Sequence, residues 1–357
     1  MDYDTSFKIG NRVISNDSPT YFIADFGSNH DGELSRAKRL IELAKESGAD
    51  CAKFQHFQAA SIVSRHGFEG LNIAHQRGWD KSVYEVYEQY SIHYEWNIKL
   101  RDACFNAGID FMTTPYDLDA VDAIDPMVKA FKIGSGDITY EKIVRYIAAS
   151  RKPTFLATGA SSMAEVEAAV GWFLEHNRQL CLMQCNTNYT GNMENMAYVN
   201  LNVLRSFAHR WPSLPLGLSD HTGGHVAVLG SVALGARVIE KHFTDDKTRL
   251  GPDHCFALEP GEWLGMVRQT RFLESAMGDG FKICEDNEVE SRVVQRRAIR
   301  LRRDLVAGDV ISAEDIEFLR PCPNLAYTPA DVDEVVGRKV VRDRIPAGDI
   351  ITQHDLD

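Results

Sequence analysis

Eight short apolar, β-type runs alternate with longer helical segments through the first 280 residues, and few folds accommodate that alternation. The runs are YFIADFG (21–27), CAKFQHF (51–57), FMTTP (111–115), AFKIGS (130–135), TFLATG (154–159), LCLMQC (180–185), PLGLSDH (215–221) and VIEKHFT (238–244). Between them lie segments of helical periodicity such as LSRAKRLIELAKESGA and MAEVEAAVGWFLEHN, and EPGEWLGMVRQTRFLESAM supplies a last helix. Runs that are apolar on both faces suit a parallel sheet covered by helices. Eight such units closing on themselves make a (β/α)8 TIM barrel, which takes about 250 residues. An open, doubly wound sheet is the competing α/β architecture. The count of eight favours closure, and no strand is followed by the GxGxxG of a dinucleotide fold.

The 357 residues leave room for a second, smaller domain. Residues 1–280 read as the barrel. The polar, acidic stretch 281–293 reads as a linker, and 294–357 as a compact β-rich domain. The two halves of that domain echo each other: each has a basic β-type run, an AGD turn and a short segment containing DI or DL. A domain of roughly 60 residues folds alone only marginally. Residues 59–91 form a polar and aromatic insertion after the second run. On the catalytic face of a barrel it would be a lid or substrate wall; a surface excursion is the other reading.

Composition narrows the partners. The net charge of −12 argues against nucleic acid and against an anionic membrane surface. No run approaches the ~20 apolar residues of a membrane span. The N-terminal MDYDTSFKIGNRVIS lacks the layout of a signal peptide, so a cytoplasmic location is expected. Seven cysteines without a CxxC pair read as reduced thiols. Cys181 and Cys185 fall in an apolar run and read as strand residues.

In a TIM barrel the chemistry gathers at the carboxyl ends of the strands. Here those ends carry Asp25, Lys53, Gln55, Lys132, Ser135, Asp137, Thr158, Tyr189, Ser219, His221 and His242, among other polar groups. Lys53 and Lys132 sit inside apolar runs, where an unpaired lysine is costly. Ion pairing with Asp25 or Glu240 would account for one of them. Two lysines joined by Ser135, Thr158 and Ser219 fit a pocket for phosphate and carboxylate better. His221 and His242 end the seventh and eighth runs, which are neighbours in a barrel. Imidazoles so placed suit a divalent cation with open coordination positions, although either could be a structural histidine.

The strings IADFGSNHDG, GADCAKFQHF, FKIGSGD, LATGASS, GLSDHT, GARVIEKHFT and LGPDHCFALEP together resemble the sialic acid synthase family, which includes N-acetylneuraminate, legionaminate and pseudaminate synthases. FLRPCPNLAYTP and GRKVVRDRIPAGDIITQHDL resemble the antifreeze-like (SAF) domain that these enzymes carry. The similarity runs through nearly the whole chain in order. It implies a transferase that condenses phosphoenolpyruvate with an N-acylated amino-sugar aldehyde and releases phosphate by C–O cleavage. It further implies that Lys53, Gln55, Lys132, Ser135, Thr158 and Ser219 bind phosphoenolpyruvate. His221 and His242 would hold the metal, usually manganese, with magnesium or cobalt as alternatives. Asp25, Lys53 and His242 would be catalytic. Asp137, Thr187, Tyr189 and Asp253 would face the sugar, and Arg320 would reach the partner's site in a domain-swapped homodimer.

Three departures fall on the acceptor side. The family's glutamates are Asp25 and Asp137 here, each one methylene shorter. The segment after the sixth run reads Gln184-Cys185-Asn186-Thr187-Asn188-Tyr189, and the family's RPGNG is Arg320-Pro321-Cys322-Pro323-Asn324. These changes point to an acceptor other than plain N-acetylmannosamine. The competing functions are a 3-deoxy-ulosonate synthase using another aldose, which the C-terminal domain speaks against, and a catalytically idle sugar-binding homologue.

Overall fold

Alternation within each strand decides what the barrel encloses. The computed structural model describes residues 2–71 and 79–357; residues 72–78 of the insertion lie outside the described residues. A hairpin opens the chain, with β1 (Ser6–Ile9) antiparallel to β2 (Arg12–Ser15) and Phe7 opposite Ile14. The eight runs then appear as β3 (Tyr21–Asp25), β4 (Cys51–His56), β5 (Asp110–Pro115), β6 (Phe131–Ile133), β7 (Thr154–Ala157), β8 (Leu180–Cys185), β9 (Leu216–Asp220) and β10 (Ala236–His242). They form a closed parallel barrel in chain order, with β10 pairing back onto β3. The open-sheet alternative is thereby excluded.

Successive strand residues face opposite sides. One set, including Phe22, Phe54, Phe131, Leu156, Leu182, Leu218 and Ile239, packs outward against the helices. A typical facing helix, Glu141–Ala149, turns Ile143, Val144, Ile147 and Ala148 to that layer. The opposite set fills the barrel. Toward the amino ends of the strands it is apolar, with Tyr21, Ile23, Cys51, Met112, Phe155, Cys181, Met183 and Val238. The hairpin, which has no counterpart among the eight expected runs, adds Phe7, Ile9 and Ile14 to this layer and plugs that end. The Phe7 and Phe155 rings meet edge to face, 6.2 Å apart. One residue pair further along each strand the interior turns polar: Asp25, Lys53, Lys132, Ser219, Glu240 and His242 follow at the same parity.

The chain divides into two compact units, Met1–Gly278 and Asp279–Asp357. In the second, β11 (Ala298–Leu301) pairs with β13 (Ile316–Leu319), and β12 (Leu305–Val306) pairs with β14 (Arg344–Ile345), both antiparallel. Ile299, Leu301, Ile311, Val340, Ile345 and Ile351 lie in its core. Both AGD turns place their glycine at positive φ, Gly308 at 94° and Gly348 at 84°, which explains the echo between the halves. The stretch 281–293, expected as a linker, holds a capped turn, Asp286–Glu288, and leads into a helix, Val289–Gln295. Its Val293 carbonyl accepts a hydrogen bond from Cys322 N–H at 2.9 Å, so the segment belongs to the second unit.

Removing the plug should loosen the barrel alone. All five tryptophans lie in the first unit. Phe7→Ala is expected to cost the barrel about 3 kcal/mol, read as an earlier urea midpoint in tryptophan fluorescence.

Candidate active site

Barrel closure brings three ionisable residues into one row. His242 on β10 is in register with Asp25 on β3, and Asp25 with Lys53 on β4. Parallel neighbours in register point the same way, so the three side chains converge at the mouth of the barrel. Lys53 Nζ lies 2.7 Å from Asp25 Oδ2 and 3.2 Å from the Thr114 hydroxyl. Asp25 Oδ2 also accepts from Gln55 Nε2 at 3.0 Å, and Asp25 Oδ1 from Gly27 N–H at 3.0 Å. His242 Nε2 stands 3.6 Å from the same carboxylate. Burial alone would raise the Asp25 carboxyl, but Lys53 and then His242 outweigh it and hold the group well below the usual range.

Lys132 makes a second pair. Its Nζ lies 2.6 Å from Glu240 Oε1, an oxygen that also accepts from Ser219 Oγ at 3.1 Å and stands 3.9 Å from Lys53. Glu240 Oε2 is buried without a hydrogen-bond partner. Desolvation opposes ionisation of Glu240, and Lys132 with Lys53 overcomes it, lowering the carboxyl. Ion pairing, the bland explanation for one buried lysine, is therefore present for both. The floor balances two ammonium groups with two carboxylates.

His221 sits on the turn after β9. Behind it, at the opposite parity, Lys241 Nζ binds Asp220 Oδ2 at 2.6 Å and also the Thr222 carbonyl. Asp220 Oδ1 accepts from Thr222 N–H at 3.0 Å, so a fully buried ion pair shapes the turn that presents the imidazole. His221 Nδ1 is 3.0 Å from the Asn186 carbonyl. A carbonyl only accepts, so Nδ1 carries a proton, and in the neutral ring Nε2 is then the nitrogen with the lone pair. The His221 and His242 rings are 5.5 Å apart, and His242 Nδ1 is buried without a partner. Phe256 fences both rings, at 5.9 and 4.9 Å. Among the described residues no group of three or more His, Cys, Asp or Glu forms a metal cluster. Two imidazoles beside a carboxylate fit a cation that takes its remaining ligands from water and substrate oxygens.

The loop after β10 closes over the row. Asp253 Oδ2 accepts from Ser28 N–H at 2.7 Å. A Cβ at Gly27, whose φ is +46°, would collide with that same oxygen and come within 2.9 Å of His242 Cε1, so glycine is needed there.

Of the residues expected at the site, Asp25, Lys53, Gln55, Lys132, Ser135, Tyr189, Ser219, His221, His242 and Asp253 line one cavity. Thr158 does not. It follows Ala157, which lines the cavity, and so faces the other way; its hydroxyl donates to the Met183 carbonyl at 3.0 Å. Thr187 is not in the lining either; its methyl lies against Gly159. Asp137 lies in a short turn (Ser135–Asp137) off the cavity lining, with Oδ2 buried and unpartnered, and burial pushes its carboxyl up to about 6. Arg320 belongs to the second unit, exposed at the end of β13. Cys185, Phe57, Val86, Tyr87 and Tyr90 line the cavity without having been singled out. Strand parity would have placed Cys185, and helical spacing in 83–90 would have placed Val86, Tyr87 and Tyr90 on one face.

A closed parallel barrel with its ionisable groups gathered at the carboxyl ends of the strands defines a (β/α)8-barrel enzyme. The chain belongs to the NeuB family, whose model matches residues 40–282, and it carries a SAF domain over residues 296–357. It is 35% identical to the N,N'-diacetyllegionaminic acid synthase of Legionella pneumophila over 326 residues, covering 90% of each chain. It is 34% identical to the pseudaminic acid synthase of Campylobacter jejuni over 356 residues, covering 98% of this chain and 99% of the other. Among solved structures, the N-acetylneuraminic acid synthetase of Leptospira borgpetersenii, in complex with citrate, superimposes with a TM-score of 0.71 at 27% identity. That match covers 81% of this chain and 96% of the other.

The raised Asp137 carboxyl predicts a pH-dependent cost. Charging it is disfavoured in the fold, so the penalty is absent below its ordinary value near 3.8 and complete above about 6. Asp137→Asn is expected to stabilise the barrel by up to about 2 kcal/mol at pH 8, with the gain vanishing by pH 4. Urea unfolding of both proteins across that range checks it.

Proposed function

We propose that this enzyme condenses phosphoenolpyruvate with the open-chain aldehyde of an N-acylated amino sugar, making a nonulosonic acid and free phosphate. The reading is carried by Lys53 and Lys132 on the floor of a NeuB-family barrel, beside two imidazoles at adjoining strand ends. Relatives named as legionaminic and pseudaminic acid synthases agree with it.

The reaction joins C3 of the enol phosphate to the aldehyde carbon. Water adds at C2, and the C2–O bond breaks as phosphate leaves. A divalent cation, manganese in our reading, held by His221 and His242 would supply Lewis-acid polarisation of the aldehyde oxygen. Lys53 and Lys132, with Ser135 and Ser219, orient the phosphate and carboxylate of the enol. Their ammonium groups already stand in a buried, low-dielectric floor, so little reorganisation is needed when charge arrives. Asp25 stays ionised beside Lys53 and holds the attacking water. Gln55 fixes its carboxylate from the other side. Asp253 and Tyr189 serve the sugar.

The assembly in this reading is a homodimer in which Arg320 of each copy completes the partner's acceptor site, where a guanidinium suits an acyl carbonyl. The location is the cytoplasm. Seven free cysteines accord with it, and no helix among the described residues is long and apolar enough to cross a membrane.

Incubation with phosphoenolpyruvate, manganese and a panel of mono- and diacylamino hexoses should release phosphate and yield a product whose mass equals the acceptor plus one pyruvic acid. No release across the panel refutes the proposal. Lys53→Ala should lower kcat/KM by about 100-fold or more. His221→Ala with His242→Ala should abolish manganese binding in calorimetry without substrate; unchanged binding would remove the metal assignment. Subunits carrying Lys53→Ala and Arg320→Ala, each nearly inactive, should regain activity on mixing. No recovery despite proven exchange would argue for a site closed within one chain.

A further inference from the structure

The layer between the strands and the helices packs side chains such as Phe22, Leu218 and Ile239. Lys241 on β10 and Asp220 on β9 break its apolar character. They are register partners on adjoining strands, and neither is more than 3% exposed. Neither faces the cavity, so the chemistry proposed above makes no use of their charges.

Their hydrogen bonds converge on one residue. Lys241 Nζ binds Asp220 Oδ2 at 2.6 Å and also the Thr222 carbonyl. Asp220 Oδ1 accepts from Thr222 N–H at 3.0 Å, and Oδ2 accepts from the Thr222 hydroxyl at 3.1 Å. The pair thus engages the N–H, the hydroxyl and the carbonyl of Thr222. His221 lies between Asp220 and Thr222, so its backbone is held on both sides while the Asn186 carbonyl holds its ring. Lys241 also immediately precedes His242. One side chain therefore ties the strand that carries one imidazole to the turn that carries the other, and the two rings stand 5.5 Å apart.

Stability alone gives little reason for this arrangement. Two buried charges lose their hydration, and an apolar filling of the same volume is often as stable or more so. The aliphatic stem of lysine already packs as such a filling would. What the pair adds is a donor to the Thr222 carbonyl and acceptors for its N–H and hydroxyl, which fix the course of the turn. Groups that hold metal ligands in place commonly change metal affinity by about 10- to 100-fold.

Resting on the metal reading above, we propose that Lys241 and Asp220 are positioning residues for the cation. They hold the His221 and His242 imidazoles in mutual register and so set manganese affinity, while adding little to the stability of the barrel.

Two measurements on the full chain test this: calorimetric titration of manganese into metal-free protein without substrate, and urea unfolding followed by tryptophan fluorescence. Asp220→Asn with Lys241→Met removes both charges and nearly conserves volume. This pair variant should bind manganese at least 10-fold more weakly, with a urea midpoint close to that of the wild type. Ile239→Ala removes an apolar contact from the same strand and layer; it should unfold at lower urea and keep wild-type manganese affinity. Thr222→Val deletes only the hydroxyl that Asp220 accepts from, and should weaken manganese by about 3-fold. Wild-type affinity in the pair variant overturns the inference. A loss in Ile239→Ala as large as in the pair variant also overturns it, since general loosening then explains both. A pair variant that does not fold refutes the claim on stability, and Thr222→Val then decides the claim on affinity, which wild-type binding there would sink. No manganese binding by the wild type overturns the metal reading together with this one.

Discussion

The Asp25–Lys53 pair is the contact on which the rest of the site depends. It exists because β10 closes onto β3, which sets His242, Asp25 and Lys53 in one row. Buried ion pairs are poor stabilisers, since the cost of removing two charges from water offsets most of their attraction. Here the desolvated pair is also tied to Gln55, Thr114 and the Gly27 N–H. A barrel that needed only stability would fill this layer with branched apolar side chains, as it does one layer below with Ile23, Met112 and Val238. The polar layer is there for chemistry, and the hairpin plug beneath it supplies the apolar contact that the polar layer gives up.

Charge balance changes how anion recognition works in this floor. With Asp25 and Glu240 beside Lys53 and Lys132, the pocket is not a simple positive trap, and the chain as a whole is acidic. Attraction must come from geometry. Burial opposes the charged form of Lys53, but Asp25 and then Glu240 outweigh it and raise the group, while Thr114 holds the Lys53 end and Ser219 the Lys132 end. Glu240 crowds both lysines through one oxygen and leaves the other unpartnered. The charges are thus poised and incompletely satisfied, the condition in which an added ligand gains most from fixed dipoles.

Much of this was legible from residue order. The eight runs became the eight barrel strands, and strand-end residues such as Lys53, Lys132 and Ser219 reached one cavity because a strand's parity is exact once one residue is placed. The same parity shows why Thr158 did not. It sits one step out of phase with Phe155 and Ala157, and proximity to a strand end does not reveal phase. Asp137 could not be phased at all: it lies on a 3₁₀ turn after β6, where neither strand nor helix periodicity applies. The amino-terminal hairpin escaped notice because four-residue strands carry too little pattern. The charged stretch 281–293 read as a linker because solvation of its side chains hides a short capped helix.

The two halves of the cavity are constrained to different degrees. Floor residues are fixed by closure and register: moving Lys53 or Glu240 by one position would turn it out of the barrel, and no local adjustment could restore it. The wall that Val86, Tyr87 and Tyr90 form is carried by a helix inserted between β4 and β5, outside the hydrogen-bonded ladder. Its side chains can change without disturbing the row beneath. A barrel built this way keeps one reaction on the strands and lets the insertion vary what reacts. That division accounts for the placement of aromatic and aliphatic residues on the helix, and of every buried charge in the cavity floor on the strands.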